Sequence, residues 1–542
     1  MRKGEKIMKK AIGIALIFML LIGSIAFITG STQEQECVFD VNLTTKNQNN
    51  YVIVDTGQNS CYDNSEIISC PEPGESFYGQ DAQYNGNQPL YQDNGDGTIT
   101  DLNTGLMWQK TPSSSSYNWQ EAIDYCDNLE LAGYDDWRAP SLKELFSISD
   151  FSQGWPYLDT SYFDTAGKSV SKDEQYWTSN FYVGKTHNGA ESAFGVNHGT
   201  GHIKAYPAGV GGPMGNYVRA VRGNSYGSNE FVDNGDGTVS DITTDLMWQQ
   251  DDSGVGMEWE DALSYAENLE LAGYDDWRLP NVKELQSIVD YTHSPNAEDI
   301  DDEGPAIDTD FFEITELPSG TTNYDSDYGY FWTSTSAYFG PQSPEYYYAW
   351  YVAFGTAVDN KGEDMHGAGG VRFDTKVEGG PAGEGGERIY NYVRCVRGGL
   401  SDNKAPDKPE TPDGSRSGES GTEYNYTTST SDPEGDQLHY WFDWGEGTNS
   451  GWLGPYDSGE EISTTHIWDS KGNYELRVKA KDMDGAQSEW SDPLKISMPK
   501  SDSILSQLYQ FIEEIPVLTM FPFSIGIALL FTIWKVLFAM GN

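Results

Sequence analysis

The sequence predicts an α+β protein: two tandem copies of one mixed unit, then an all-β sandwich, then a C-terminal transmembrane helix. Three observations carry that reading. Long motifs recur in the same order. Within each copy a helical period gives way to short strand-like runs. A late apolar segment is long enough to cross a bilayer.

The duplication comes first. Asp-Asn-Gly-Asp-Gly-Thr occurs at 93–98 and 233–238, and Leu-Met-Trp-Gln at 106–109 and 246–249. Asn-Leu-Glu-Leu-Ala-Gly-Tyr-Asp-Asp-Trp-Arg occurs unchanged at 128–138 and 268–278. The spacing between copies is constant over this half. Trp-Thr-Ser then matches at 177–179 and 332–334, and Asn-Tyr-Val-Arg at 216–219 and 391–394, at growing separations. Copy two has gained an acidic segment after Asp290 and a Gly-rich segment over 361–387. A fixed half beside a half of variable length suggests a scaffold carrying display loops.

Within a copy, Asn94-Gly95 and Asp96-Gly97 are turn signals ahead of the alternating run 98–102. The Asp-rich turn lacks the ligand spacing of an EF-hand loop, so a hairpin is expected there and not a cation site. Trp119, Ile123, Cys126 and Leu129 fall at helical spacing and predict a helix over 119–129. A second helix is expected from Ser141, where Glu144 completes a capping box; Asn281 and Glu284 repeat it. Short strands are expected around Trp177, around Phe194 and over 217–222. From 406 the composition shifts to Asp, Ser, Thr and Trp, with strand-like runs at 438–443 and 474–480. That reads as a β-sandwich over 406–499.

The ends and the charge bear on location. Lys9 and Lys10 precede an apolar run at 11–29 closed by Gly30 and Ser31, a signal-peptide pattern over 1–31. Residues 515–538 hold one charge, Lys535. At about 1.5 Å per residue they span a hydrocarbon core of about 30 Å. Between them the expected order is a Cys-containing lead (32–84), copy one (85–224), copy two (225–399), a linker (400–405), the sandwich and a juxtamembrane segment (500–514). The expected location is the cell surface. The net charge is −51, from 84 acidic and 33 basic residues. Such a surface repels nucleic acid and polyanions, and suits neutral glycans, basic partners or bound Ca²⁺. Export permits disulfides. Among five cysteines, Cys61 and Cys70 stand close enough in sequence to close a small loop.

The ordered motifs Asp-Asn-Gly-Asp-Gly-Thr, Leu-Met-Trp-Gln, Tyr-Asp-Asp-Trp-Arg-x-Pro, Trp-Thr-Ser and Tyr-Val-Arg-x-Val-Arg-Gly resemble the DUF1566 domain, also called the C-terminal domain of the Legionella collagen-like adhesin. The resemblance covers both copies. It implies a C-type-lectin-like fold and an adhesive function; the adhesin itself binds sulfated glycosaminoglycans. This chain has no collagen Gly-X-Y repeat, so collagen-driven trimerisation is not implied, and its acidity argues against a sulfated ligand. Residues 406–499 resemble PKD or fibronectin-type modules through Asp432-Pro-Glu-Gly-Asp436, the turn at 444–447 and Asp482-Met-Asp-Gly485. C-type-lectin-like folds often join the first helix to the last strand by a disulfide. Cys126 lies on the first helix of copy one and Cys395 on the last strand of copy two, each opposite an alanine in its own copy. The resemblance therefore implies a Cys126–Cys395 bridge between copies.

Candidate chemistry follows. Sugar recognition uses flat apolar faces beside hydrogen-bonding groups, and the variable half supplies them. Tyr182, His187, Asn197 and His198 are the ligand candidates of copy one; Tyr338, Tyr346, Trp350, Asp359 and Asn360 are those of copy two. The motif tryptophans Trp119, Trp137, Trp177, Trp259, Trp277 and Trp332 read as core, and Arg138 and Arg278 as partners in buried ion pairs. In the sandwich, Asp432, Glu434, Asp436, Asp482 and Asp484 could hold a structural Ca²⁺; no other cofactor is expected. The calcium-ligand triplets of C-type lectins do not occur. Neither do His-Glu-x-x-His or a P-loop, Gly-x-Ser-x-Gly occurs only as Gly223-Asn-Ser-Tyr-Gly227 at the junction of the copies, and the seven histidines lack metal-ligand spacing. The sequence thus points to a binding protein, not an enzyme. Its expected partners are an extracellular glycan or surface protein, and a membrane through the C-terminal helix.

Overall fold

The computed structural model describes residues 51–498, apart from 153, 168–169, 173, 188, 212–214, 339, 341–344, 382–388, 401–402 and 484. The signal-peptide and transmembrane expectations lie outside these residues. Among the described residues no helix is long and apolar enough to cross a membrane.

The fold is mostly β-sheet with short helices. The lead forms a hairpin, β1 (Cys61–Tyr62) with β2 (Ile67–Ile68), closed by a Cys61–Cys70 disulfide. Copy one runs β3 (Tyr91–Asp93), β4 (Thr98–Asp101), β5 (Met107–Gln109), α1 (Trp119–Asp127), α2 (Leu142–Ser147), β6 (Gln175–Thr186), β7 (Ala190–Asn197), β8 (Ile203–Pro207) and β9 (Val221–Arg222). Copy two repeats this order: β10 (Phe231–Asp233), β11 (Thr238–Asp241), β12 (Leu246–Gln249), α3 (Trp259–Glu267), α4 (Val282–Ser287), β13 (Tyr330–Ala337), β14 (Tyr348–Ala353), β15 (Val371–Thr375) and β16 (Val396–Gly398).

Local chemistry explains the boundaries. Asp-Asn-Gly-Asp-Gly is the β3–β4 turn. Gly95 and Gly97 take φ of 73° and 91°, where a side chain would be strained. Asp93 Oδ1 accepts from the Gly95 N–H at 2.9 Å, and Asp96 Oδ1 from the Thr98 N–H at 3.1 Å. The aspartates therefore tie the turn. Helix α1 stops two residues short of the expected end because Asn128 caps it, its Nδ2 donating to Asp124 O at 2.6 Å. The Ser141–Glu144 and Asn281–Glu284 capping boxes both form. The last strand is shorter than 217–222 because Arg219 turns inward. Its guanidinium donates to Gln109 O at 2.8 Å, to Asp164 O at 2.6 Å and to Lys110 O. Arg394 does the same with Gln249 O at 2.9 Å, Glu313 O at 2.6 Å and Gln250 O.

In each copy the first three strands and the last form a four-stranded sheet, β3-β4-β5-β9 and β10-β11-β12-β16. The remaining strands join into one six-stranded antiparallel sheet, ordered β13-β14-β15-β8-β7-β6. The copies meet at its middle, where Val371 of β15 pairs with Ile203 of β8. The Ala205 N–H adds a bond to His366 O at 2.7 Å. Beneath the seam lies one core drawn from both copies, with Phe146, Phe151 and Phe194 packed among Leu285, Tyr291 and Trp350.

The lead is wedged between the copies. Thr56 O accepts from the copy-one Phe151 N–H at 2.8 Å. Gln58 pairs with the copy-two Ser336 backbone at 2.9 and 3.0 Å. Asp81 Oδ2 accepts from Thr56 at 2.8 Å and from Thr335 at 2.6 Å; burial pushes its carboxyl up to about 8. Lys283 Nζ, pushed down to about 8 by burial, donates to Asp55 O and Ser147 O.

Each copy also keeps a separate cluster about its first helix. Cys126 packs with Trp137 and Trp177, and Cys395 with Trp259, Trp277 and Trp332. This corrects the expected Cys126–Cys395 bridge. The copies meet through β8 and β15, and the two thiols sit in different clusters, buried and free. Burial pushes Cys126 up to about 12 and Cys395 higher still. Arg138 grips Glu144 through two bonds of 2.7 Å. Arg278 grips Glu284 at 2.7 and 2.6 Å. These carboxylates are those of the capping boxes, so one residue ties loop to helix.

The C-terminal unit is a sandwich of β17 (Asp413–Gly414), β18 (Glu423–Thr428) and β21 (Ile462–Ile467) against β20 (Asn449–Tyr456), β19 (Leu438–Asp443), β22 (Gly472–Lys481) and β23 (Leu494–Met498). Tyr426, Phe442, Trp468 and Leu476 fill its core.

Two outcomes are expected. Arg278→Ala strands the buried Glu284 carboxylate and should cost about 3–5 kcal/mol in urea unfolding. Arg138→Ala should cost clearly less, because that side chain is 36% exposed against 3% for Arg278; equal losses would contradict the burial difference. Non-reducing peptide mapping should recover Cys61 linked to Cys70, with Cys126 and Cys395 as thiols.

Candidate functional site

Four of the expected ligand residues lie inside the fold. Trp350 has no exposed surface and is ringed by Phe151 and Tyr157 of copy one and by His202 and Phe373. The Tyr182 hydroxyl, also buried, lies 2.6 Å from Asp364 Oδ2 and 2.7 Å from Ser294 Oγ, across the seam. Burial raises the Asp364 carboxyl to about 6. Asn197 is buried and shapes a loop: its Oδ1 accepts from the Gly199 and Thr200 N–H groups. His198 is fully buried against Tyr176, with both ring nitrogens unpartnered. These four are corrections. Ser294, Asn296, Asp364 and His366 of copy two meet copy one, and the Trp350 and Tyr182 rings fill the shared core between them.

The other five stay nearer the surface, in two places. His187 is half-buried; its N–H donates to Asp364 O at 3.2 Å and its Nδ1 meets Thr186 Oγ1 at 2.9 Å. Asp359 accepts from the Lys361 and Glu363 N–H groups in a turn, which lowers its pKa, and Asn360 beside it is exposed. Tyr346 stacks on Tyr62 of the disulfide hairpin at 3.9 Å, with Tyr338 at 5.5 Å. The motif tryptophans behave as core residues. Trp177 and Trp332 donate to Tyr117 O and Met257 O at 2.9 and 2.8 Å, at equivalent positions of the two copies.

In the sandwich, Asp432 and Asp482 are both buried and close enough that Asp432 helps raise the Asp482 carboxyl to about 6, after burial itself. Asp432 Oδ2 has no hydrogen-bond partner, and Asn403 Nδ2 donates to Asp482 Oδ2 at 2.8 Å. Buried carboxylate oxygens of this kind suit Ca²⁺. Glu434 pairs with Lys404, and Asp484 is outside the described residues. Among the described residues no three acidic, His or Cys side chains group to hold a metal.

A different site stands out. A cleft of about 710 Å³ separates the 150–162 segment of copy one from the sandwich. On the sandwich wall, Trp441 of β19 and Trp452 of β20 are cross-strand partners with ring centroids 5.4 Å apart. Lys479 of β22 registers beside Trp441, and its ammonium lies 5.4 Å from the Trp452 ring and 5.2 Å from that of Trp490. It donates to Gln487 Oε1 at 2.7 Å. Burial pushes the Lys479 pKa down, while Asp150 and Asp159 of copy one oppose that shift across the cleft. The facing wall presents Trp155, Asp159 and Tyr162. Trp155 holds φ of 38°, a conformation L-residues avoid, with its ring against Gly340, where a Cβ would come within 3.1 Å.

None of these cleft residues was anticipated. One signal was available: β19 alternates, and Trp441 falls at an outward position, where a core-forming tryptophan does not belong.

Comparison with known proteins agrees with this architecture. The model of the Lcl C-terminal domain matches residues 97–222 and 237–397, and that of the PKD domain matches 411–492. Among solved structures, the PKD domain of an M14-like peptidase from Thermoplasmatales archaeon SCGC AB-540-F20 is 46% identical, covering 18% of this chain and 99% of that one, with a TM-score of 0.17. The PKD domain of the human VPS10 domain-containing receptor SorCS2 is 19% identical, covering 23% and 98%, with a TM-score of 0.14. The glycoside hydrolase domain of Endo-D from Streptococcus pneumoniae R6 is 17% identical, covering 24% and 19%, with a TM-score of 0.14. No curated protein matches the chain. Both matched domain types suggest an extracellular protein of adhesion type. Two Lcl C-terminal segments together span more than half of the chain, which therefore belongs to the Lcl C-terminal domain family.

Proposed function

We propose that this chain is an exported, membrane-anchored surface protein that binds an extracellular glycan or surface protein and does not transform it. The observation that supports this most is the tryptophan-lined cleft between copy one and the sandwich. Partly exposed aromatic rings on two facing walls suit a ligand better than a structural contact, which would close over them. The apolar run at 11–29 serves export and that at 515–538 the anchor. The sandwich is the stalk that holds the fused copies, lectin-like in ancestry, clear of the bilayer. Asp432 and Asp482 would take up a structural Ca²⁺ that stiffens it.

Protease treatment of intact cells should digest the chain, which should otherwise fractionate with membranes; recovery of the intact polypeptide in the cytosol would contradict the proposal. The stalk has its own pH signature. Asp482 has a folded pKa of about 6 against an ordinary 3.8. Its contribution is therefore fully present below the ordinary value and is lost as pH rises through the folded one. In EDTA the sandwich should lose stability between about pH 4 and pH 6, and Asp482→Asn should flatten that slope. Adding Ca²⁺ at neutral pH should raise the melting temperature of the sandwich, and Asp432→Asn should remove the rise. A melting temperature indifferent to Ca²⁺ would rule the ion out.

A further inference from the structure

We infer that the cleft between copy one and the sandwich is a saccharide site for a neutral oligosaccharide, gripped from both walls; this rests on the recognition reading above. Three features of the cleft select that class. First, the rings are platforms. Trp441 and Trp452 project from the outward face of the sandwich, opposite the face that carries Tyr440 and Phe442 into its core. Their rings form a tilted pair at 5.4 Å, so each leaves a face for a pyranose. Trp155 and Tyr162 answer from the other wall. Second, the rings are interleaved with hydroxyl-recognising groups. Asn449 and Thr448 lie on the sandwich side, and Asp159 and Ser161 on the copy-one side. Lys479 Nζ, held by Gln487, is a donor on the sandwich wall. Third, the lining is net negative. Lys479 is its one cation against Asp150, Asp159 and Asp443, so the cleft has no surplus cation for a sulfate or uronate. The chain's net charge of −51 repels such polymers before contact. A flat protein surface is also disfavoured, because rings on facing walls can be reached together only by something thin enough to lie between them.

The backbone at Trp155 adds weight. A tryptophan held at φ 38° sits in a backbone conformation that L-residues rarely adopt. Such strain persists where surroundings enforce it, and it concentrates at ligand sites. Here Gly340 makes the room that lets the ring hold its place on the cleft wall.

The test uses the full chain in detergent, titrated with neutral oligosaccharides derived from glucan, chitin and mannan, and separately with heparin fragments. At least one neutral oligosaccharide should bind saturably, with an affinity that does not change between low and high salt. Trp441→Ala and Trp155→Ala should each weaken it about tenfold or more, one from each wall. Trp441→Phe and Trp155→Phe should keep most of the affinity, which separates a lost platform from a disturbed fold. Binding of a protein partner that ignores Trp441→Ala would overturn the saccharide assignment and leave the surface-recognition reading standing. A preference for heparin, a loss from one wall alone, or no neutral ligand at all would each overturn it too.

Discussion

The molecule depends on one shared surface, the seam where β8 of copy one meets β15 of copy two. Neither copy encloses its own core there. Trp350 belongs to the middle strand of copy two, yet Phe151 and Tyr157 of copy one pack edge-on against it, and it is fully buried. Tyr182 of copy one hydrogen-bonds with Asp364 and Ser294 of copy two. Parting the copies would expose these rings, take the Tyr182 hydroxyl from the buried Asp364 carboxylate and leave two strand edges open to solvent. The lead makes the dependence stricter. Thr56 and Gln58 bond one to each copy, and Lys283 of copy two bonds both the lead and Ser147 of copy one. Two copies and the lead therefore form a single folding unit.

That arrangement explains how the copies have diverged. Residues that tie each copy internally are alike: the Arg–Glu grip on the second helix, the inward arginine of the last strand, and the Asp-tied turn. Residues facing the seam differ, because each copy meets a partner that is not itself. Cys126 and Cys395 show a milder form. Each sits in a small apolar niche where the other copy carries alanine, and their clusters never meet.

Much of this was legible in the sequence, because the signals were local. Capping boxes at Ser141 and Asn281, the Asp-Asn-Gly-Asp-Gly turn, the Cys61–Cys70 loop and the outward–inward alternation at 438–443 depend on a few neighbouring residues, and all are in place. The seam was not legible. The seam strand β8 carries Pro207 and falls among glycines, so it reads as loop, and nothing local says that Trp350 and Tyr182 face another copy. Aromatics in segments of variable length were therefore read as ligand contacts when they fill a core. The cleft was missed for the converse reason. Trp441 and Trp452 lie in strands that read as ordinary sandwich, and only the docking of copy one against that face turns them into a site. In the sandwich, Asp432 lies close enough to Asp482 to act on its carboxyl, and Glu434 is held by Lys404.

The cleft depends on the seam in turn. Its copy-one wall runs from Asp150 to Tyr162, and that segment is fixed from behind by Phe151 and Tyr157, both packed on Trp350. Hydrogen exchange of the native full chain, read by peptide mass spectrometry, tests this most directly. A shared core requires the amides of β7 and β8 to open with the same free energy as those of β14 and β15. If one copy's sheet exchanged through its own lower-energy opening while the other stayed protected, the two copies would be independent domains, and the shared core would be wrong.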